Sequence, residues 1–235
     1  SGSRWDDPPS ASAELNTALS YDEILGVLKR FSIAGQGAHH ISISYFDRPW
    51  LEKAPPEWVD VLARWTDPPG QEFLASYPLS AYPSLMELLK PDSTTIIADI
   101  SADPRLDESM REVYARLFKA ISAIFVPLVV GNQWIGFINA NYPQPMEFAE
   151  DAVRRLLALA GQAAVAVQNL RSVALAEQQA QQAQLRSEEL ALVNRVVTAM
   201  VSSADLRHVL DAVADELIQA FSLAHAGIAV LKPEH

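Results

Sequence analysis

Two apolar runs, residues 121–130 and 133–141, are separated only by Gly131-Asn132. A two-residue Gly-Asn linker between β-branched and aromatic residues favours one continuation, a tight hairpin of antiparallel strands. That commits the centre of the chain to an antiparallel sheet. Both runs carry apolar residues at adjacent as well as alternate positions, so both faces of the sheet are expected to be covered. Gly136, in mid-strand, is expected to leave room for a helix or a ligand to approach the backbone.

The rest of the chain must supply those covers. At 235 residues, 49% hydrophobic and 20% charged, it can bury a real core but is a little long for one compact domain. A net charge of −11 argues against a nucleic-acid partner, which needs clustered Lys and Arg to meet phosphate. The absence of cysteine removes disulfides, thiolate catalysis, Cys-based zinc sites and thioether attachment of a chromophore. The longest strongly apolar stretch, 123–130, is interrupted by Pro127 and far short of the roughly 20 residues that span a bilayer, so no membrane insertion is expected. A cytoplasmic location is the expectation. Ser1-Gly2-Ser3 reads as a cloning remnant on an excised fragment.

Residues 15–19 look like the last turns of an upstream linker helix, so 1–19 is assigned to that remnant and linker. Ser20 with Glu23 three residues later is the capping-box spacing, and a helix is predicted from 20 to about 31, broken by Gly35 and Gly37. The alternation of 41–46 predicts a half-buried strand. Residues 58–65, bracketed by Pro55-Pro56 and Pro68-Pro69, read as a second strand or a helix. Residues 71–82 read as loop, 84–89 as a short helix, 94–98 as a strand and 107–119 as helix.

From Phe148 to about Met200 helix signals run almost unbroken. Leu156, Ala160, Ala163, Val167 and Leu170 form one small-residue stripe that suits close packing on a sheet or on a second copy. Beyond Leu170, Gln and Ala alternate, and a seam of Leu175, Gln178, Gln182, Leu185, Glu189, Leu192 and Val196 follows heptad spacing with polar dilution. A dimeric coiled coil over 171–204 is expected, against the alternative of an unpartnered linker helix. A gapless pairing then sets Tyr21 on Leu206, Leu28 on Val213, Ile33 on Ile218, His40 on His225, Ile43 on Ile228 and Phe46 on Leu231. Residues 205–235 are therefore expected to open a second copy of the first unit, truncated after its first strand.

The strings Ile97-Ala98-Asp99-Ile100, Asp103-Pro104-Arg105, Val126-Pro127-Leu128, Gly131, Ile135-Gly136-Phe137-Ile138 and the helical 157–170, in this order, resemble the GAF domain, a relative of the PAS domain. The resemblance covers 20–170. It implies an α+β fold: a GAF/PAS-like antiparallel sheet flanked by helices, with a ligand pocket beneath loops and a short helix, followed by a long signalling helix. It also implies a parent protein of tandem sensory domains, often a histidine kinase or nucleotide cyclase. The Asn-Lys…Phe-x-x-x-Asp-Glu signature of cyclic-nucleotide binders is missing. Bilin attachment and methionine-sulfoxide reduction need Cys, which disfavours those branches too.

Within that frame Trp65, Phe73, Tyr77 and Tyr82 fall where a pocket roof would lie, and aromatics with a polar handle suit a planar ligand. Plain core or lid packing is the competing account. Ser122 and Asn139 could present polar groups from the hairpin, or simply face water. His39 and His40 read as exposed residues before a strand; a haem role would need an enclosing apolar pocket. Asp99, Asp103 and Asp107 are accounted for by capping and turns. No nucleophile elbow, phosphate loop or His-Glu-x-x-His occurs, so no enzyme is expected. The expected function is a homodimeric sensory module binding a small molecule of unknown identity, with a spacer that binds nothing and a noncovalent haem sensor as alternatives.

Overall fold

The computed structural model describes residues 10–51, 54–202, 206–221 and 224–227. Helices α1 (Ala11–Thr17) and α2 (Tyr21–Phe31) come first. The Ser20 hydroxyl accepts from the Glu23 amide, and the Glu23 carboxylate accepts from the Leu19 amide at 2.7 Å. The expected cap thus closes from both sides. Strands β1 (His40–Trp50), β2 (Trp58–Thr66) and β3 (Ser76–Pro78) follow, then α3 (Pro83–Leu88), β4 (Thr95–Ile97) and α4 (Glu108–Val113). The hairpin β5 (Ser122–Val130) and β6 (Gln133–Tyr142) precedes α5 (Glu150–Ser202) and α6 (Leu206–Phe221). Residues 58–65 are strand rather than helix, and 71–82 is not all loop, since it contains the edge strand β3.

The six strands pair antiparallel in the order β3-β2-β1-β6-β5-β4. At the hairpin turn Gly131 takes φ 58° while Asn132 stays negative, the glycine-first arrangement of a type II′ turn. Pro127 is tolerated because β4 pairs only with residues from Ala123 to Phe125, leaving β5 as the sheet edge beyond them. Gly136 does mark a close approach, but by the neighbouring strand. A Cβ there would stand 2.1 Å from the Ser44 carbonyl oxygen.

Two cores form, one on each face. The first joins Leu15, Ile24, Leu28, Ile41, Ile43, Ile124, Val126, Ile138 and Tyr142 to the α5 stripe of Leu156, Ala160, Ala163, Ala164 and Val167. The small α5 residues let that helix lie close on the strands. The second gathers Phe46, Val59, Leu85, Leu88, Ile97, Met110, Tyr114, Phe125 and Phe137 under the β2–α4 connections.

Residues from Val173 onward form a separate compact unit. Within it Leu175 and Leu185 are exposed, Leu192 and Val196 half-buried, and Arg195 pairs with Glu216 of α6. The strand expected near 228–231 lies outside the described residues, as does the cap expected at Asp205.

Candidate functional site

On the second face lies a partly open cavity of about 90 Å³, floored by β1, β2, β5 and β6 and roofed by residues 73–85 and 110–118. Strand alternation decides who reaches it. Along β1, Ile41, Ile43 and Tyr45 pack on the helical core, so His40, Ser42 and Ser44 point into the cavity. Along β2 the alternation is broken. Ser44 pairs with Val61 but Ile43 pairs with Ala63, leaving Leu62 as an extra residue, a β-bulge. One added residue reverses the facing of everything after it. Val61 and Arg64 therefore both line the cavity, while Leu62, Ala63 and Trp65 join the opposite face.

This moves one expected site residue out of the pocket. The Trp65 ring lies under α2, with Lys29 Nζ 3.4 Å from its centroid. Ser122 is also elsewhere: it lies three residues from the pocket-facing Phe125, hence on the other face, and its hydroxyl donates to the Gln144 carbonyl at 2.7 Å. Phe73, Tyr77, Tyr82 and Asn139 do come together around the cavity.

The residue the sequence placed at the surface is the most informative one inside. His40 is only 2% exposed and lines the cavity. Its ring stands edge-on to Phe118, centroids 4.8 Å apart, and 5.3 Å from Phe73. A polar chain fixes its tautomer. The Ile124 carbonyl can only accept, so Asn139 Nδ2 donates to it at 3.3 Å. Asn139 Oδ1 then accepts from Asn141 Nδ2 at 2.9 Å, and the same amide nitrogen lies 3.0 Å from His40 Nδ1. An amide nitrogen only donates, so Nδ1 accepts and the proton sits on Nε2. Burial, reinforced by the nearby Arg64 and His39, pushes the imidazole pKa down to about 3, which keeps the ring neutral. Nε2 has no hydrogen-bond partner among the described residues. A buried N–H left so costs roughly 1–3 kcal/mol.

Arg64 presents a second such donor. Its Nη2 donates to the Leu74 carbonyl at 2.9 Å and its guanidinium lies 4.5 Å from the Phe73 centroid, but the buried Nε has no partner among the described residues. Burial lowers its pKa, partly offset by Tyr77. Tyr77 and Tyr114 are held as neutral phenols, burial raising both well above the ordinary value. Among the described residues no carboxylate lines the cavity.

The roof is shaped by irregular backbone. After α4 the chain widens into a π-turn, Tyr114–Phe118, closed by Lys119 in the left-handed region at φ 52°. Such widened turns cluster at functional sites. Here the turn brings Tyr114, Leu117 and Phe118 to the cavity, while the Phe118 and Leu117 carbonyls bond His39 Nε2 and Gln71 Nε2. Asp107 caps α4 through the Met110 amide and binds the Ser84 hydroxyl, tying α3 to α4 and holding its own pKa down to about 2. Asp99 and Asp103 serve local turns, as expected.

Among the described residues no three His, Asp or Glu gather as a metal-binding set. Haem would find an imidazole in His40, but the space is below the roughly 150 Å³ that takes one benzene, so the macrocycle does not fit.

A sheet that gives one face to helices and the other to a loop-roofed, polar-lined cavity defines an α+β domain of the sensory class. Residues 17–167 match the sequence profile of the GAF domain, more than half of the chain, and the chain belongs to that family. Among solved structures it is similar to the chromophore-binding domain of an unusual bacteriophytochrome from R. palustris, at 17% identity and TM-score 0.52, over 69% of this chain and 59% of that one. A longer structure of that bacteriophytochrome gives 16% identity and TM-score 0.52, over 92% of this chain and 47% of that one. The domain of a putative two-component sensor histidine kinase from Sinorhizobium meliloti 1021 matches at 16% identity and TM-score 0.48, over 67% and 94%. The chain thus spans about half to three fifths of the bacteriophytochrome chains. No curated protein is detectably similar in sequence. Among the described residues no helix is long and apolar enough to cross a membrane.

Proposed function

We propose that this chain is the sensory module of a multidomain signal-transduction protein, a sensor histidine kinase or nucleotide cyclase, that binds a small molecule in the cavity and relays its presence through α5 paired with a second copy. The observation that carries the reading is His40, buried in the cavity with an N–H that no group among the described residues accepts. Buried donors without a partner are rare in native cores, and a bound guest is one explanation for this one. A route to the helix exists in Arg171 of α5, which stacks 4.3 Å over Tyr45 and lies 3.9 Å from Asp60. Those two residues adjoin Ser44 and Val61, which line the cavity. The exposed Leu175 and Leu185 supply the thin seam for pairing.

Binding can shift the helix only by its differential affinity for two packings. Sedimentation of the chain at micromolar concentration is expected to show a dimer. A strict monomer overturns the relay. The small volume of the cavity, with Phe73 packed into its wall, favours a second reading, a dimerisation spacer that binds nothing. The two separate in a thermal-shift panel of small metabolites, where the spacer gives no stabilisation by any compound.

A further inference from the structure

The chemistry of the cavity selects its occupant, and this inference rests on the sensory reading above. Among the described residues, two buried N–H groups of cavity-lining side chains lack a protein partner, while the hydroxyls of Ser42, Ser44, Tyr77, Tyr82 and Tyr114 can donate or accept. His40 offers its Nε2 hydrogen and Arg64 its Nε hydrogen. The His40 ring lies 5.3 Å and the Arg64 guanidinium 4.5 Å from the Phe73 ring centroid. Asn139, the other strong polar group, has its oxygen and nitrogen both engaged within the sheet. The unpartnered acceptor nearby, Asn141 Oδ1, belongs to a residue that does not line the cavity. Among the described residues Arg64 carries the lining's one formal charge, with no acid to neutralise it.

A cationic guanidinium beside a neutral imidazole, with no acid in the described lining, matches the negative charge of a carboxylate. Elsewhere the walls include the apolar Met110, Val113 and Phe125. A volume of about 90 Å³ is only about three times the share of one liquid water, which limits the guest to a handful of non-hydrogen atoms. We propose that the cavity is a receptor site for a short-chain monocarboxylate, its carboxylate drawn to Arg64 and His40 and its hydrocarbon tail among Met110, Val113 and Phe125. A ligand so small can gain only limited affinity, so binding falls in the millimolar to sub-millimolar range.

The test titrates the full chain, labelled with ¹⁵N-histidine, with propionate, its neutral isostere propionamide and its cationic counterpart propylamine. Propionate is expected to move the His40 Nε2 resonance saturably and raise the melting temperature. Propionamide should bind at least tenfold more weakly and propylamine should leave His40 unmoved. Arg64→Gln should weaken propionate at least tenfold; if that variant does not fold, the ranking of the three isosteres at His40 decides alone. Equal or tighter binding of propionamide or propylamine overturns the carboxylate assignment and leaves the sensory reading standing. Propionate binding that spares His40, or survives Arg64→Gln undiminished, overturns the assigned site. If no compound of any charge, here or in the wider panel, perturbs the cavity residues, the carboxylate assignment and the sensory reading fall together.

Discussion

The two faces of the sheet are drawn from the same strands yet are built to different ends. On β1, Ile41 and Ile43 are fully buried against helices, while their neighbours His40, Ser42 and Ser44 are almost as buried against a cavity. The helical face is closed: aliphatic residues meet the small side chains of α5, and its deepest polar group, the Tyr142 hydroxyl, donates to Ile33 at 3.0 Å. The loop face keeps space and unmatched donors. On the proposed reading the first face supplies stability and the second selectivity, and a strand can serve both because successive side chains point opposite ways.

The sharpest way to break this comparison is to damage what the faces share. Gly136→Ala would drive a methyl into the Ser44 carbonyl and prise β6 from β1; a loss of more than about 4 kcal/mol, or failure to fold cooperatively, is expected in urea denaturation. Next come adjacent residues on β1. Ile43→Ala should cost about 2–5 kcal/mol, since it opens a void in a closed core, whereas Ser42→Ala should change stability by less than about 1 kcal/mol. Similar losses for both would show that the faces are energetically alike.

The pH dependence reports on the cavity face. Between its unfolded value of 6.5 and its folded value of about 3, His40 binds fewer protons in the folded state. Stability should therefore fall as pH drops through this window, with a slope approaching about 1.4 kcal/mol per pH unit. The window from pH 6.5 to 5 is the one to measure, because Asp107, depressed to about 2, contributes its own loss only further down, below pH about 4. His40→Phe should flatten the slope above pH 5, and an unchanged slope would count against a neutral buried imidazole. The smallest effect belongs to the rim of the closed face, where Lys29→Ala should lose about 0.5–1 kcal/mol with the Trp65 contact, read from the melting curve.

Much of this was legible in the sequence, and the failures have a common cause. The hairpin, the capped α2 and the long α5 were readable because turn chemistry and periodicity are local. Phe73, Tyr77 and Tyr82, placed in a roof by order along the chain, and Asn139, placed on the hairpin, line one cavity. Trp65 and Arg64 exchanged places because a bulge at Leu62 leaves no mark in composition. Ser122 was misplaced although its odd spacing from Phe125 carried the answer. The burial of His40 was foreshadowed by polar residues at alternate positions on two strands: His40, Ser42 and Ser44 on one, Asn139 and Asn141 on the other. That pattern marks a polar, enclosed face only once the two strands are known to be neighbours. The π-turn that lowers Phe118 onto His40 had no local signal at all.

The bulge at Leu62 has a consequence for descent as well as for geometry. Deleting that single residue would leave the remainder of β2 facing as it does, because Ala63, Arg64 and Trp65 keep Ile43, Ser42 and Ile41 as partners. Relatives that lack one codon at this point would then keep the same guanidinium over the cavity, so that length variation here is neutral for the chemistry of that face.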